Sequence, residues 1–165
     1  MTRIMILCAA LVLGGCGLHP LYGGGESSSV AQGLRSIEVG TIPGQVGWLM
    51  RNALVDRLGG ERGTASAYRL DVELEDNITG FGIRGDSATT RERRTLRARY
   101  RLVDLASGAV VLDATAGSDA GIDVVSSEYA TVAAEQSAGE RLSLVVADQI
   151  VARLAQFAAR TPPQP

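Results

Sequence analysis

From Tyr68 the chain alternates strictly. Tyr68, Leu70, Val72 and Leu74 fall on one side, and Arg69, Asp71, Glu73 and Glu75 on the other. A period of two with one apolar side is the signature of a half-buried strand. The pattern returns further on, with Leu96, Ala98, Tyr100 and Leu102 set against Arg93, Thr95, Arg97, Arg99 and Arg101. Asp104 to Gly108 reads as a turn, and Ala109 to Thr115 as a third strand. The two polar rows carry opposite charge, which suits adjacent antiparallel strands. In that arrangement Arg97, Arg99 and Arg101 can pair across strands with Asp71, Glu73 and Glu75.

Elsewhere the period changes. From Gln45 to Leu58 the apolar positions are Val46, Leu49, Met50, Ala53, Leu54 and Leu58, the spacing of a helix with one buried face. Trp48 falls beside that face, and Gly59-Gly60 stops the helix. A longer helix is predicted from about Glu128 to Ala159, through Val132, Leu142, Val145, Val146, Ile150, Leu154 and Phe157. Gly139 weakens its middle and leaves a break there open. A short first strand is expected over Leu34 to Val39, ended by Ile42-Pro43-Gly44. Gly80 to Thr90 reads as a glycine-rich connection, and Gly117 to Ser127 as a loop or an extension of the hairpin. The order gives an α+β sandwich of the type β-α-β-β-β-α. Its mostly antiparallel sheet of about four strands carries two helices on one face. Residues 34–160 form a single domain, and residues 161–165 a disordered tail.

The N-terminus follows a different logic. Ile4 to Leu13 is apolar, Arg3 precedes it, and small residues end it, as in a secretory signal peptide. The run is shorter than the roughly 20 residues that a spanning helix needs. Leu13-Gly14-Gly15-Cys16 is similar to the bacterial lipobox, so residues 1–15 are read as a removed signal and Cys16 as the lipid attachment site. A chance thiol beside an ordinary cleavage site is the alternative. Residues 16–33, with Gly23-Gly24-Gly25 and Ser27-Ser28-Ser29, read as a lipidated flexible tether. Gly17 stands where an aspartate would retain the protein at the inner membrane. The expected place is therefore the outer membrane, facing the periplasm.

Composition removes several functions. Once the leader is cut, Cys16 is the one cysteine left, so no internal disulfide forms. His19 is the one histidine and sits in the tether, which leaves no Ser-His-Asp triad and no Cys/His zinc site for the domain. A metal, a cofactor and an enzymatic activity are accordingly not expected. The 16 basic residues against 18 acidic ones select no partner by net charge.

Gly80-Phe81-Gly82-Ile83-Arg84-Gly85 matches a dinucleotide fingerprint, with Asp104 downstream. No helix follows it to hold a pyrophosphate on its first amides, so it reads as a hairpin tip. Asn77-Ile78-Thr79 and Arg84-Gly85-Asp86 are short enough to arise by chance. The stronger signal is arginine: every basic residue is arginine, and Arg84, Arg91, Arg93, Arg94, Arg97, Arg99 and Arg101 crowd one stretch. Nucleic acid is not expected, because no aromatic platform accompanies them. Arg91, Arg93, Arg94 and Arg97 are the candidates for binding phosphate bidentately, with lipopolysaccharide (LPS) as the abundant phosphorylated ligand of an outer membrane.

Cys16-Gly17-Leu18-His19-Pro20-Leu21-Tyr22-Gly23 resembles the mature start of the LptE family of LPS-assembly lipoproteins. Glu128-Tyr129-Ala130 through Glu135-Gln136-Ser137-Ala138, with the helix that follows, is similar to that family's C-terminal half. The resemblance implies a non-enzymatic protein that plugs the β-barrel of LptD and helps insert LPS into the outer leaflet. Its partners would then be an LptD-like barrel, LPS and the membrane that holds its lipid. An auxiliary subunit or scaffold of another envelope complex is the alternative.

Overall fold

The computed structural model describes residues 29–59, 66–83 and 89–161. The leader, Cys16, residues 17–28 of the tether, the Arg84-Gly85-Asp86 tripeptide and residues 162–165 lie outside the described residues.

Alternation builds the sheet. β2 (Tyr68–Ile83) and β3 (Thr89–Asp104) pair antiparallel, and β3 pairs in the same way with β4 (Val110–Asp123). A short β1 (Ile37–Val39) adds in parallel to the start of β2, giving the order β1-β2-β3-β4. The even-numbered side chains Leu70, Val72, Leu96, Ala98, Tyr100 and Leu102 are buried. With them pack helices α2 (Gly44–Leu58) and α3 (Glu128–Arg160), which supply Met50, Leu54, Leu142, Val146, Ile150 and Leu154 to one continuous core. An α+β layer results, with helices on one face and arginines and carboxylates on the other.

The first strand is shorter than expected. A helix, α1 (Ser29–Arg35), occupies the end of the expected tether and the start of the expected strand. Val30 and Leu34 sit four apart, and Leu34 is buried in the core, so packing favours the helical period here.

The strands run further than alternation suggested. β2 and β3 continue through the glycine-rich stretch, with Phe81 opposite Arg91 and Ile83 opposite Thr89. β4 continues to Asp123, opposite Arg91. The hydrogen-bond ladder needs only backbone, so β2 and β3 extend here without a buried apolar row, while on β4 Ile122 is buried and Ala116 and Ala120 pack toward the core. The small residues of β4 also have a spatial reason. Gly117 lies opposite Arg97, and a Cβ there would come within 2.5 Å of the arginine's Cδ.

α3 is one helix of 33 residues, with no interruption at Gly139. Ser127 caps it, its hydroxyl accepting from the Ala130 N–H. Gly139 instead permits a close approach, since a Cβ there would lie 2.7 Å from a guanidinium nitrogen of Arg94. The buried stripe runs through Ala138, Ser143, Ala147, Val151 and Ala155, small residues that let the helix sit close to its neighbours. Val132 and Val145, expected to face inward, are exposed, and so is Trp48. α3 is long and apolar enough to cross a bilayer, but half of its most apolar window is buried in the domain, as in a core helix.

Candidate functional site

The candidate arginines lie on β3, and the strand's period of two separates them. Arg91, Arg93 and Arg97 are odd-numbered and project from the uncovered face, with Arg99 and Arg101 continuing the row. Arg91 and Arg93 are about 7 Å apart, two strand residues, whereas Thr95 stands between Arg93 and Arg97 and roughly doubles that spacing. Arg94 is even-numbered and turns toward α3.

Arg94 is fully engaged. It donates to both carboxylate oxygens of Asp76, at 2.9 and 2.6 Å, and to the backbone carbonyl of Glu135, at 2.5 Å. The hydrogen bond to Asp76 raises its pKa beyond the usual arginine value, against the opposing pull of burial. Beside it is Glu92, whose Oε2 is buried with no hydrogen-bond partner among the described residues. Burial first, and the nearby Glu135 second, push the Glu92 pKa up. The Arg94 contact ties the N-terminal half of α3 to the sheet.

The outer row is paired more loosely. Arg91 meets Asp123 at 3.0 Å, and Arg97 meets Asp119 at 3.3 Å. Arg99 forms a two-pronged bond to Asp113, at 3.2 and 2.8 Å, which holds the Asp113 carboxyl below its usual value. Arg101 reaches Glu73 at 2.5 Å. The Cα register does place Arg97, Arg99 and Arg101 opposite Glu75, Glu73 and Asp71. The side chains, however, lean diagonally or across to β4, because the longer β4 presents Asp113, Asp119 and Asp123 on the same face. Asp113 lies in the strand expected over Ala109 to Thr115, whereas Asp119 and Asp123 join this face only because the hairpin extends through the stretch read as a loop or an extension.

Arg93 differs from the rest of the row. Among the described residues it has no carboxylate within ion-pair distance; its guanidinium lies 5.3 Å from the centre of the Phe81 ring. A ring face attracts the cation without neutralising its charge. Phe81 belongs to the segment first read as a glycine-rich tip, so nothing in the sequence paired it with Arg93. The patch offers one unneutralised guanidinium between two exposed, displaceable ion pairs. Such pairs are worth about 0–1 kcal/mol, so an anionic ligand can compete for them. Among the described residues no group of three His, Cys, Asp or Glu side chains is placed to hold a metal.

Comparison with known proteins agrees with this architecture. A protein from Caulobacter crescentus CB15, described as a lipoprotein, is 31% identical, with a TM-score of 0.65 over 80% of this chain and 97% of its own. Rare lipoprotein B from Shewanella oneidensis shares the fold at 8% identity, with a TM-score of 0.59 over 75% of this chain and 96% of its own. Lipoprotein B from Nitrosomonas europaea does so at 12% identity, with a TM-score of 0.56 over 74% of this chain and 82% of its own. No curated protein sequence matches. Residues 34–154 match the family described as LptE, lipopolysaccharide-assembly, and that span covers α2, the whole arginine-bearing sheet and α3 as far as Leu154, so the chain belongs to the LptE family.

Proposed function

We propose that this protein is a non-enzymatic lipoprotein of the outer membrane, anchored by lipid on Cys16, that works with an LptD-like β-barrel in placing LPS in the outer leaflet. Membership of an LPS-assembly family supports the role. The observation that carries the molecular reading is the outer row of β3. Arg91, Arg93 and Arg97 lie on one uncovered, charged face, and Arg93 has no carboxylate partner among the described residues. A flat polar face of this kind suits the water-filled, polar interior of a large barrel. Its exposed guanidiniums suit the phosphates of LPS. Arg94 holds α3 in place and does not meet ligand.

The test is a comparison of two variants in LPS binding. Arg91→Ala/Arg93→Ala/Arg97→Ala should weaken binding, and the remaining binding should depend less on salt. Arg94→Gln should bind as the parent does wherever it is folded. Equal binding by the triple variant and the parent would overturn the phosphate reading. Cys16→Ala should abolish lipidation, read as the mass of the mature chain, and release the domain from the membrane fraction. Failure to co-purify with a β-barrel from the intact envelope would overturn the partnership.

A further inference from the structure

The end of the sheet opposite the arm holds a different kind of site. There a cleft of about 550 Å³ opens between α1, the start of β2 and the last turns of α3. Ile37, Tyr68, Leu102, Leu105 and Phe157 line it, so its walls are mainly apolar. The Tyr68 and Phe157 rings meet edge to face, 6.1 Å between centres, and make a firm wall. Gln32 and Gly33 of α1 form one side. An apolar concavity of this size matches the range of pockets that bury a small apolar ligand.

Three stretches outside the described residues adjoin the lining residues. Residues 60–65, before Ser66, are Gly, Glu, Arg, Gly, Thr and Ala. Residues 162–165, after Thr161, are Pro, Pro, Gln and Pro. Neither supplies a large apolar side chain. The stretch that leads into α1 does, with Leu18, Leu21 and Tyr22. Residues 23–28 separate Tyr22 from Ser29, and six residues reach at most about 20 Å. Gln32 lies one turn into the helix, about 5 Å along it. The apolar segment is therefore within reach of the cleft and matches its chemistry.

We infer that Leu18, Leu21 and Tyr22 seat in this cleft, so that the N-terminal segment docks on its own domain. The consequence rests on the reading of Cys16 as lipidated; the docking does not. Undocked, residues 17–28 would let the domain range about 40 Å from the anchored cysteine. Docked, Gly17 alone separates Cys16 from the seated Leu18. The cleft end of the domain is then held against the membrane, and the arginine-bearing arm is directed away from it.

Disulfide trapping in the full-length, lipidated protein tests this. Gly23→Cys is combined with Ala106→Cys, which lies at the cleft, and separately with Thr115→Cys on the uncovered face of the sheet. The first pair should cross-link under mild oxidation and the second should not. Proximity along the chain alone could favour the first pair, so the deciding variant adds Leu18→Ser/Leu21→Ser/Tyr22→Ser. Removing the apolar side chains should slow cross-linking about tenfold or more. An unchanged rate would overturn the docking, as a free tether or a lipid-filled cleft would give. The mass of the same sample reads the lipid on Cys16 independently. Side-chain-dependent cross-linking in a chain without lipid would support the docking and remove only its consequence for reach.

Discussion

The two faces of β3 carry opposite physics on alternate residues of one strand. Leu96, Ala98, Tyr100 and Leu102 face the helices and are at most 2% exposed. Arg97, Arg99 and Arg101 face outward, with side chains 51%, 58% and 41% exposed. The inner row gains by leaving water, at about 25 cal/mol per Å² of apolar surface. The outer row gains little, because each ion pair is screened by solvent and costs side-chain entropy. Stability therefore sits on one face, and the other is left for recognition. Arg94 is the exception, an arginine on the inner side whose charge is fully matched.

The largest break in that comparison is an inner truncation. Leu102→Ala leaves a cavity between sheet and helices and should cost about 2–5 kcal/mol in chemical denaturation. Its position in the cleft wall could moderate the loss toward the lower figure, whereas Leu96→Ala tests a site away from the cleft. Arg94→Ala comes next. With side-chain exposures of 12% for Arg94 and 26% for Asp76, the change strands a half-buried carboxylate and the Glu135 carbonyl. A loss of about 2 kcal/mol is expected, and hydrogen exchange should quicken in the N-terminal half of α3 before the C-terminal half. A uniform increase along α3 would show that Arg94 does not act locally.

Arg101→Ala should change stability by less than about 1 kcal/mol, and a double-mutant cycle with Glu73→Ala should return a coupling of the same small size. A larger coupling would mean that the outer face does contribute to holding the fold. The smallest effect concerns pH. Glu92 is raised by burial and by Glu135, so the fold favours its protonated form. The stability from that preference is complete below the ordinary glutamate value of 4.5 and is lost as pH rises through the higher folded value. Glu92→Gln should therefore lose less stability than the parent from pH 4.5 upward, read from melting temperatures across that range. Asp113, held low by Arg99, has the opposite sign: its contribution is present above 3.8 and fades as pH falls through the folded value.

Much of this was legible in the chain. The period of two from Tyr68 to Leu74 and from Arg93 to Leu102 located two strands and their buried faces, because an apolar row has only one place to go. The same reasoning placed Met50, Leu54, Ile150 and Leu154 in the core. Where the hydrophobic row stopped, the reading stopped too. The continuation of β2 past Asn77 and of β3 ahead of Arg93 depends on backbone pairing with no buried apolar row to mark it, and past Thr115 the inward positions of β4 are small, Ala116, Ser118 and Ala120, so its period is faint until Ile122. α1 was missed because seven residues are too few to show a helical period.

The candidate site divides along the same line. That Arg91, Arg93, Arg94 and Arg97 form a concentrated positive stretch is a property of the sequence. Which of them is spent and which is free is decided by partners distant in the chain: Asp76 and the Glu135 carbonyl for Arg94, Asp123 for Arg91, Asp119 for Arg97 and the Phe81 ring for Arg93. Local periodicity records how each residue relates to its own element. The sequence by itself therefore determined the strand and helix faces, the N-terminal motif and the class of fold. Charge pairing and cleft formation arise between elements, so only the tertiary structure decided that Arg94 braces a helix while Arg93 has a ring and no carboxylate partner among the described residues, and that an apolar cleft opens within reach of Leu18, Leu21 and Tyr22.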